Sequence, residues 1–166
     1  MVQYLSVSLF PALMIIAGAG DALTLRIPNW LNQAIFLAFF PLAWVTGMPL
    51  EVFALHFLAC VILFVIGFLL FSINIFGGGD AKLLAAAGIW FGPSQVGPFL
   101  ALTVIAGGAL ALVVVIWSRI SMSLEIHRSP FSGEVAQLRP KIPYGYAFAI
   151  GAILAFPNTW WMASHG

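Results

Sequence analysis

The chain has 166 residues, is 63% hydrophobic, and carries only six basic and five acidic side chains, for a formal net charge of +1 and a mean hydropathy of +1.10. Such a composition excludes an ordinary water-soluble domain and a disordered one. The formal net charge of +1 says nothing about a nucleic-acid partner, and none is expected. Apolar runs such as VFALHFLACVILFVIGFLLF (52–71) show no period-two alternation, so the expected fold is all-α and polytopic, with helices that satisfy their own backbone in lipid, rather than a barrel.

A helix needs roughly 20 apolar residues to cross the hydrocarbon core. The first apolar run covers 3–20. Ala17-Gly18-Ala19 mimics a signal-peptide cleavage site, but no Lys or Arg precedes the run, so it is read as a retained first span. The polar turn DALTLRIPN (21–29) follows, then a second span over 30–46 that breaks at Thr46-Gly47-Met48-Pro49. Glu51 lies just beyond, and a third span covers 52–75. From Leu83 to Ser118 there are 36 uncharged residues, too many for one span. Gly92-Pro93-Ser94-Gln95 and Gly97-Pro98 interrupt this stretch, which predicts a hairpin of two helices. A polar loop over 119–142 and a last span over 143–162 complete a single domain, 1–166.

The charges support this layout. With six spans, Arg26, Lys82, Arg119, Arg128, Arg139 and Lys141 all fall on one side and Glu51 on the other. The positive-inside rule then puts both termini on the non-cytoplasmic side. Asp21 and Asp80, separated by two spans, both fall on the cytoplasmic side.

These two aspartates carry the functional reading. Each sits where an apolar span meets a glycine-rich junction, in AGAGDALTLRIPN and FGGGDAKLLAAAGIWFG. An acid next to a membrane span is costly and calls for a reason. Hydrolysis of a peptide by two carboxylates needs one ionised group to deprotonate water and one protonated group to polarise the carbonyl. Close carboxylates meet both needs because they cannot both ionise cheaply. Such a pair titrates as a unit, so base and acid are not assigned to individual residues. Small residues at 17–20 would let the first helix approach a neighbour closely. Gly77, Gly78 and Gly79 would free the backbone before Asp80 and clear the approach of an extended substrate.

Each aspartate also has a structural reading, Asp80 as the N-cap of the helix that follows and Asp21 as an interfacial turn residue. Other function classes stay open too: a small proton- or ion-coupled transporter, or a structural membrane subunit of a secretion or pilus machine. Transport would place acids nearer the midplane among broken helices, whereas both lie at span ends.

The pattern GD-x-x-x-x-R-I-P-N (Gly20 to Asn29), then GGGDAKL (Gly77 to Leu83), then KIPYGYAFAIG (Lys141 to Gly151) resembles the type IV prepilin peptidases. These are intramembrane aspartyl proteases with a GxGD motif. The resemblance implies Asp21 and Asp80 as the catalytic pair, with no metal or organic cofactor. It implies a prepilin or pseudopilin substrate, cut after a leader peptide at the cytoplasmic face of a bacterial inner membrane. The cytoplasmic insertion with paired CxxC motifs found in the long form is missing, since Cys60 is the only cysteine. The chain therefore looks like the short, peptidase-only type of tight-adherence pilus systems.

Gly77, Gly78, Gly79 and Lys82 are the candidate substrate-binding residues, with a topology anchor as the alternative for Lys82. Arg26 reads as an anchor as well. Asn29 and Asn74 are placed to hydrogen-bond the aspartates or to cap helices. His56 reads as an interfacial residue at the outer end of the third span, and most tryptophans as interface anchors. In the 119–142 loop, Glu125 and Glu134 are the expected contacts for a basic leader.

Overall fold

The computed structural model describes residues 2–126 and 144–163, with side-chain environments for 7–120 and 144–162. Every regular element among them is helical: α1 (Val2–Thr24), α2 (Asn29–Val45), α3 (Leu50–Ser72), α4 (Gly78–Ile126) and α5 (Tyr144–Ala155), then a 3₁₀ turn (Phe156–Asn158) and the short α6 (Trp160–Ala163). Proline marks two of the starts. Pro28 and Pro49 sit in extended conformation immediately before α2 and α3, where a missing N–H costs nothing. Three helices are long and apolar enough to cross a membrane: Val7–Thr24, Leu50–Ser72 and Gly78–Ile120. The protein is thus an all-α, multi-pass membrane protein. On α3, Ile62, Val65 and Leu69 remain about half exposed, as expected for a lipid-facing surface.

The first half of α4 is the centre of the fold. From Leu83 to Phe91 every residue is buried, which suits a helix that is apolar on all sides. Gly67 of α3 packs on Ala81 and Leu63 packs on Gly88, so α3 and this half run antiparallel at close range through small residues.

At Gly92 the long helix breaks. Its φ of 61° and ψ of 178° are non-helical, and the side-chain-free residue is required there. Phe91 and Phe99, about 12 Å apart on a continuous helix, stack with centroids 4.4 Å apart. After the break, Thr103 lies against Gly151 and Gly107 against Ala147, so the second half runs antiparallel to α5. The helix α5 in turn runs antiparallel to α1, through Gly18 against Ala149 and Asp21 against Gly145. The two halves of α4 therefore point in opposite directions. Gly92-Pro93 makes this reversal, while Pro98 is accommodated within the second half.

The break orphans two carbonyls, and side chains from elsewhere satisfy them. Pro93 has no N–H to offer Ile89, four residues back; the Ile89 carbonyl instead accepts a 2.7 Å hydrogen bond from His56 Nδ1. The Trp90 carbonyl accepts one from the Trp161 indole at 3.0 Å. His56 is therefore not an interfacial residue. It is 3% exposed and stacked on Phe39, and a Cβ at Gly92 would stand 2.6 Å from its Nε2. Trp90 and Trp161 likewise belong to a buried aromatic cluster with Phe10 and Phe39 rather than to an interface, whereas Trp30, Trp44 and Trp117 are exposed. Asn74 ends α3 in the left-handed conformation (φ 59°), the C-terminal capping geometry that asparagine tolerates.

Candidate active site

One end of the helix bundle gathers the C-termini of α1 and α3 and the N-termini of α2, α4 and α5. Asp21 lies in the last turn of α1 and is 5% exposed. Its Oδ2 accepts the Gly145 backbone N–H at 2.7 Å. That N–H is in the first turn of α5, where amides have no partner within the helix and the helix dipole favours an anion. Gly145 is also close-packed: a Cβ there would stand 2.8 Å from Asp21 Cβ and 2.9 Å from Ile27 Cδ1.

Asp80 lies in the first turn of α4, half-buried, and its Oδ2 accepts the Gly77 N–H at 3.2 Å. Asp21 and Asp80 line a single cavity of about 280 Å³ together with Leu25, Arg26, Ile27 and the three glycines 77–79.

The structure brings together five of the six residues expected at the site. Lys82 is the exception. It points away from the aspartates, and its Nζ donates to Asn29 Oδ1 at 2.9 Å on the wall of a separate cavity. Of the two features expected of the glycines, backbone freedom and cleared space, only the second has a counterpart in the structure. None of Gly77, Gly78 and Gly79 takes a left-handed φ, so their contribution is room, not backbone freedom. A Cβ on Gly77 would stand 3.0 Å from Asp80 Oδ2, and one on Gly79 would stand 3.3 Å from Ile27 Cβ. In the small-residue run of α1, Gly18 makes the close approach, while Gly20 faces open space.

Several wall residues were not singled out for this place. Arg26 stands on the cavity wall rather than serving only as an anchor. Leu25 turns the chain out of α1 with a left-handed φ of 53°, a strained conformation for a side chain of this kind. Asn32 Nδ2 donates to the Gly79 carbonyl at 3.3 Å and so buttresses the glycine junction from α2. The only sequence signal for Gly145 was its place two residues after Pro143 in KIPYGYAFAIG. The expected leader contact Glu134 lies outside the described residues, as does the side chain of Glu125. Among the described residues no group of three or more His, Cys, Asp or Glu side chains could hold a metal ion.

A sequence model of the type IV leader peptidase family matches residues 8–112. No curated protein and no solved structure matches the chain. The matched stretch is more than half of the sequence and runs through Asp21, the glycine junction and Asp80, ending before α5. The chain thus belongs to the type IV leader peptidase family and is a membrane peptidase of the aspartic type.

Proposed function

We propose that this protein is an endopeptidase that removes the short cytoplasmic leader of type IV prepilin-like substrates at the face of a bacterial inner membrane. Asp21 and Asp80 jointly activate water. The observation that carries this reading is that both carboxylates line one cavity beside three glycines, in a chain of the leader peptidase family. One ionised carboxylate takes a proton from water as its oxygen attacks the scissile carbonyl. The protonated partner donates to the carbonyl oxygen, and a proton then passes to the leaving amine. Gly77, Gly78 and Gly79 leave space for an extended backbone. The chain acts as a single domain with six membrane crossings, the aspartate end facing the cytoplasm and both termini away from it.

The same carboxylates have a second, structural reading as helix caps, favoured by their hydrogen bonds to Gly145 and Gly77. Replacing each by asparagine separates the two. Asparagine keeps an oxygen that accepts the same N–H but cannot carry the proton. For Asp21→Asn and Asp80→Asn, leader removal from a co-reconstituted prepilin is expected to fall at least about 10²- to 10⁴-fold at unchanged membrane abundance. Cleavage at the wild-type rate by both variants would leave the aspartates as caps and remove the dyad.

A further inference from the structure

The connection from α1 to α2 touches both halves of the site. Ile27 is buried; a Cβ on Gly145 would stand 2.9 Å from its Cδ1, and one on Gly79 would stand 3.3 Å from its Cβ. Gly145 donates to Asp21, and Gly79 immediately precedes Asp80. Two residues after Ile27 the chain enters α2, and there two asparagines reach across to the start of α4. Asn29 Oδ1 accepts a hydrogen bond from Lys82 Nζ at 2.9 Å, and Asn32 Nδ2 donates to the Gly79 carbonyl at 3.3 Å.

The spacing gives these two ties a shared effect. Asn29 and Asn32 are three apart and share a face of α2, as Gly79 and Lys82 share a face of α4. Asp80 is turned about 100° from Gly79 and about 160° from Lys82, away from that face. Both helices start at the same end of the bundle, so the tie from 29 to 82 crosses the tie from 32 to 79. Sliding α4 along its axis in either direction stretches one of them. As a source of stability Asn32 is poor, because its buried Oδ1 has no donor. The Gly79 carbonyl does not depend on it either, since a helix offers each carbonyl an N–H four residues on. What Asn32 supplies is a fixed point next to Asp80.

We propose that Asn29, Asn32 and Lys82 are positioning residues that hold Asp80 in a fixed place relative to Asp21. Lys82 then acts on α2 and not on the substrate. The effect on rate rests on the two-aspartate reading, whereas the tie between α2 and α4 stands apart from it.

The test compares kcat and KM for leader removal from a reconstituted prepilin with the thermal midpoint in micelles. Asn29→Ala/Asn32→Leu should lose about 10²-fold in kcat, as for a displacement of about 1 Å at a reacting group, with KM little changed. Leucine matches the shape of asparagine and removes the orphaned oxygen along with the donor. Asn32→Leu alone should therefore lose rate at an equal or higher midpoint. Asn29→Asp keeps an acceptor for Lys82 and should recover the rate lost in Asn29→Ala. Gln33→Ala, exposed on the same turn of α2, is the control and should cleave normally. A raised KM at unchanged kcat would overturn the proposal and make Asn29 and Lys82 substrate contacts. Rates that simply follow the midpoint would overturn it in favour of a structural role. A second measurement needs no cleavage: Asp21→Cys and Asp80→Cys, in a chain whose buried Cys60 is replaced by alanine, are joined by a short bifunctional thiol reagent. Crosslinking should be efficient with both ties present and should fall when Asn29→Ala/Asn32→Leu is added. Little crosslinking with the ties in place, or equal crosslinking without them, would overturn the proposal as well. Crosslinking as expected, in a protein whose wild type cleaves no prepilin, would support the ties and sink the peptidase reading.

Discussion

Gly145→Ala tests whether α5 positions the Asp21 carboxylate. The added Cβ would stand 2.8 Å from Asp21 Cβ, against about 3.5–4.0 Å for ordinary carbon contacts. The contacts with Asp21 Oδ2 and Ile27 Cδ1, both at 2.9 Å, are with far ends of side chains that can rotate away. Asp21 Cβ is fixed to the α1 backbone, so α1 and α5 must separate by about 1 Å to reach an ordinary contact. The 2.7 Å hydrogen bond from Gly145 to Asp21 then stretches beyond useful length. Overpacking of this size costs about 1–3 kcal/mol of stability. A displacement of about 1 Å at a reacting group costs about 10²-fold in rate, or about 2.7 kcal/mol of barrier. The assay is kcat/KM for leader removal from a reconstituted prepilin, read beside the thermal midpoint in micelles. Gly145→Ala is expected to lose about two orders of magnitude in kcat with KM little changed. Gly20→Ala is the matched control, since its Cβ meets nothing within 4 Å although it adjoins Asp21; it should cleave normally. Wild-type turnover by Gly145→Ala, or equal losses in the two variants, would refute the positioning argument.

Other substitutions test the frame around the site. His56→Ala leaves the Ile89 carbonyl without a donor at the Gly92 break, which costs about 1–3 kcal/mol. The thermal midpoint should drop by several degrees, and His56→Gln, which keeps an N–H donor, should recover part of it; an unchanged midpoint for His56→Ala would show that the break needs no side-chain support. Leu25→Gly relieves a left-handed conformation worth about 1–2 kcal/mol of strain for an L-residue, offset in part by the greater freedom of glycine in the unfolded chain. It should therefore match or exceed wild-type stability, while β-branched Leu25→Val should lower it. Equal midpoints for the valine and glycine variants would mean that the turn relaxes.

The sequence alone determined the helical membrane class, because long apolar runs with few charges have no other stable form in lipid. It also put Asp21 and Asp80 at the same end of the bundle, where both line one cavity. Charged residues at glycine-rich span ends are rare enough to stand out, and counting spans puts both on one side. An interruption in this stretch was legible because a Gly-Pro pair disfavours a continuous helix, but the same pair at Gly97-Pro98 stays helical, so the sequence did not say that Gly92-Pro93 alone makes the reversal. Tertiary structure decided what depends on residues far apart in the chain. His56 looked like a lone polar residue in a span; only the packing of α3 on the break reveals the carbonyl it serves. Lys82 lies two residues from Asp80, yet 100° per residue on a helix turns it toward a different cavity and a different chemistry. Gly145 is 124 positions from the carboxylate it holds, and no local pattern encodes that contact. Span class follows from local composition, whereas the partner of each polar group depends on which helix ends the fold brings together.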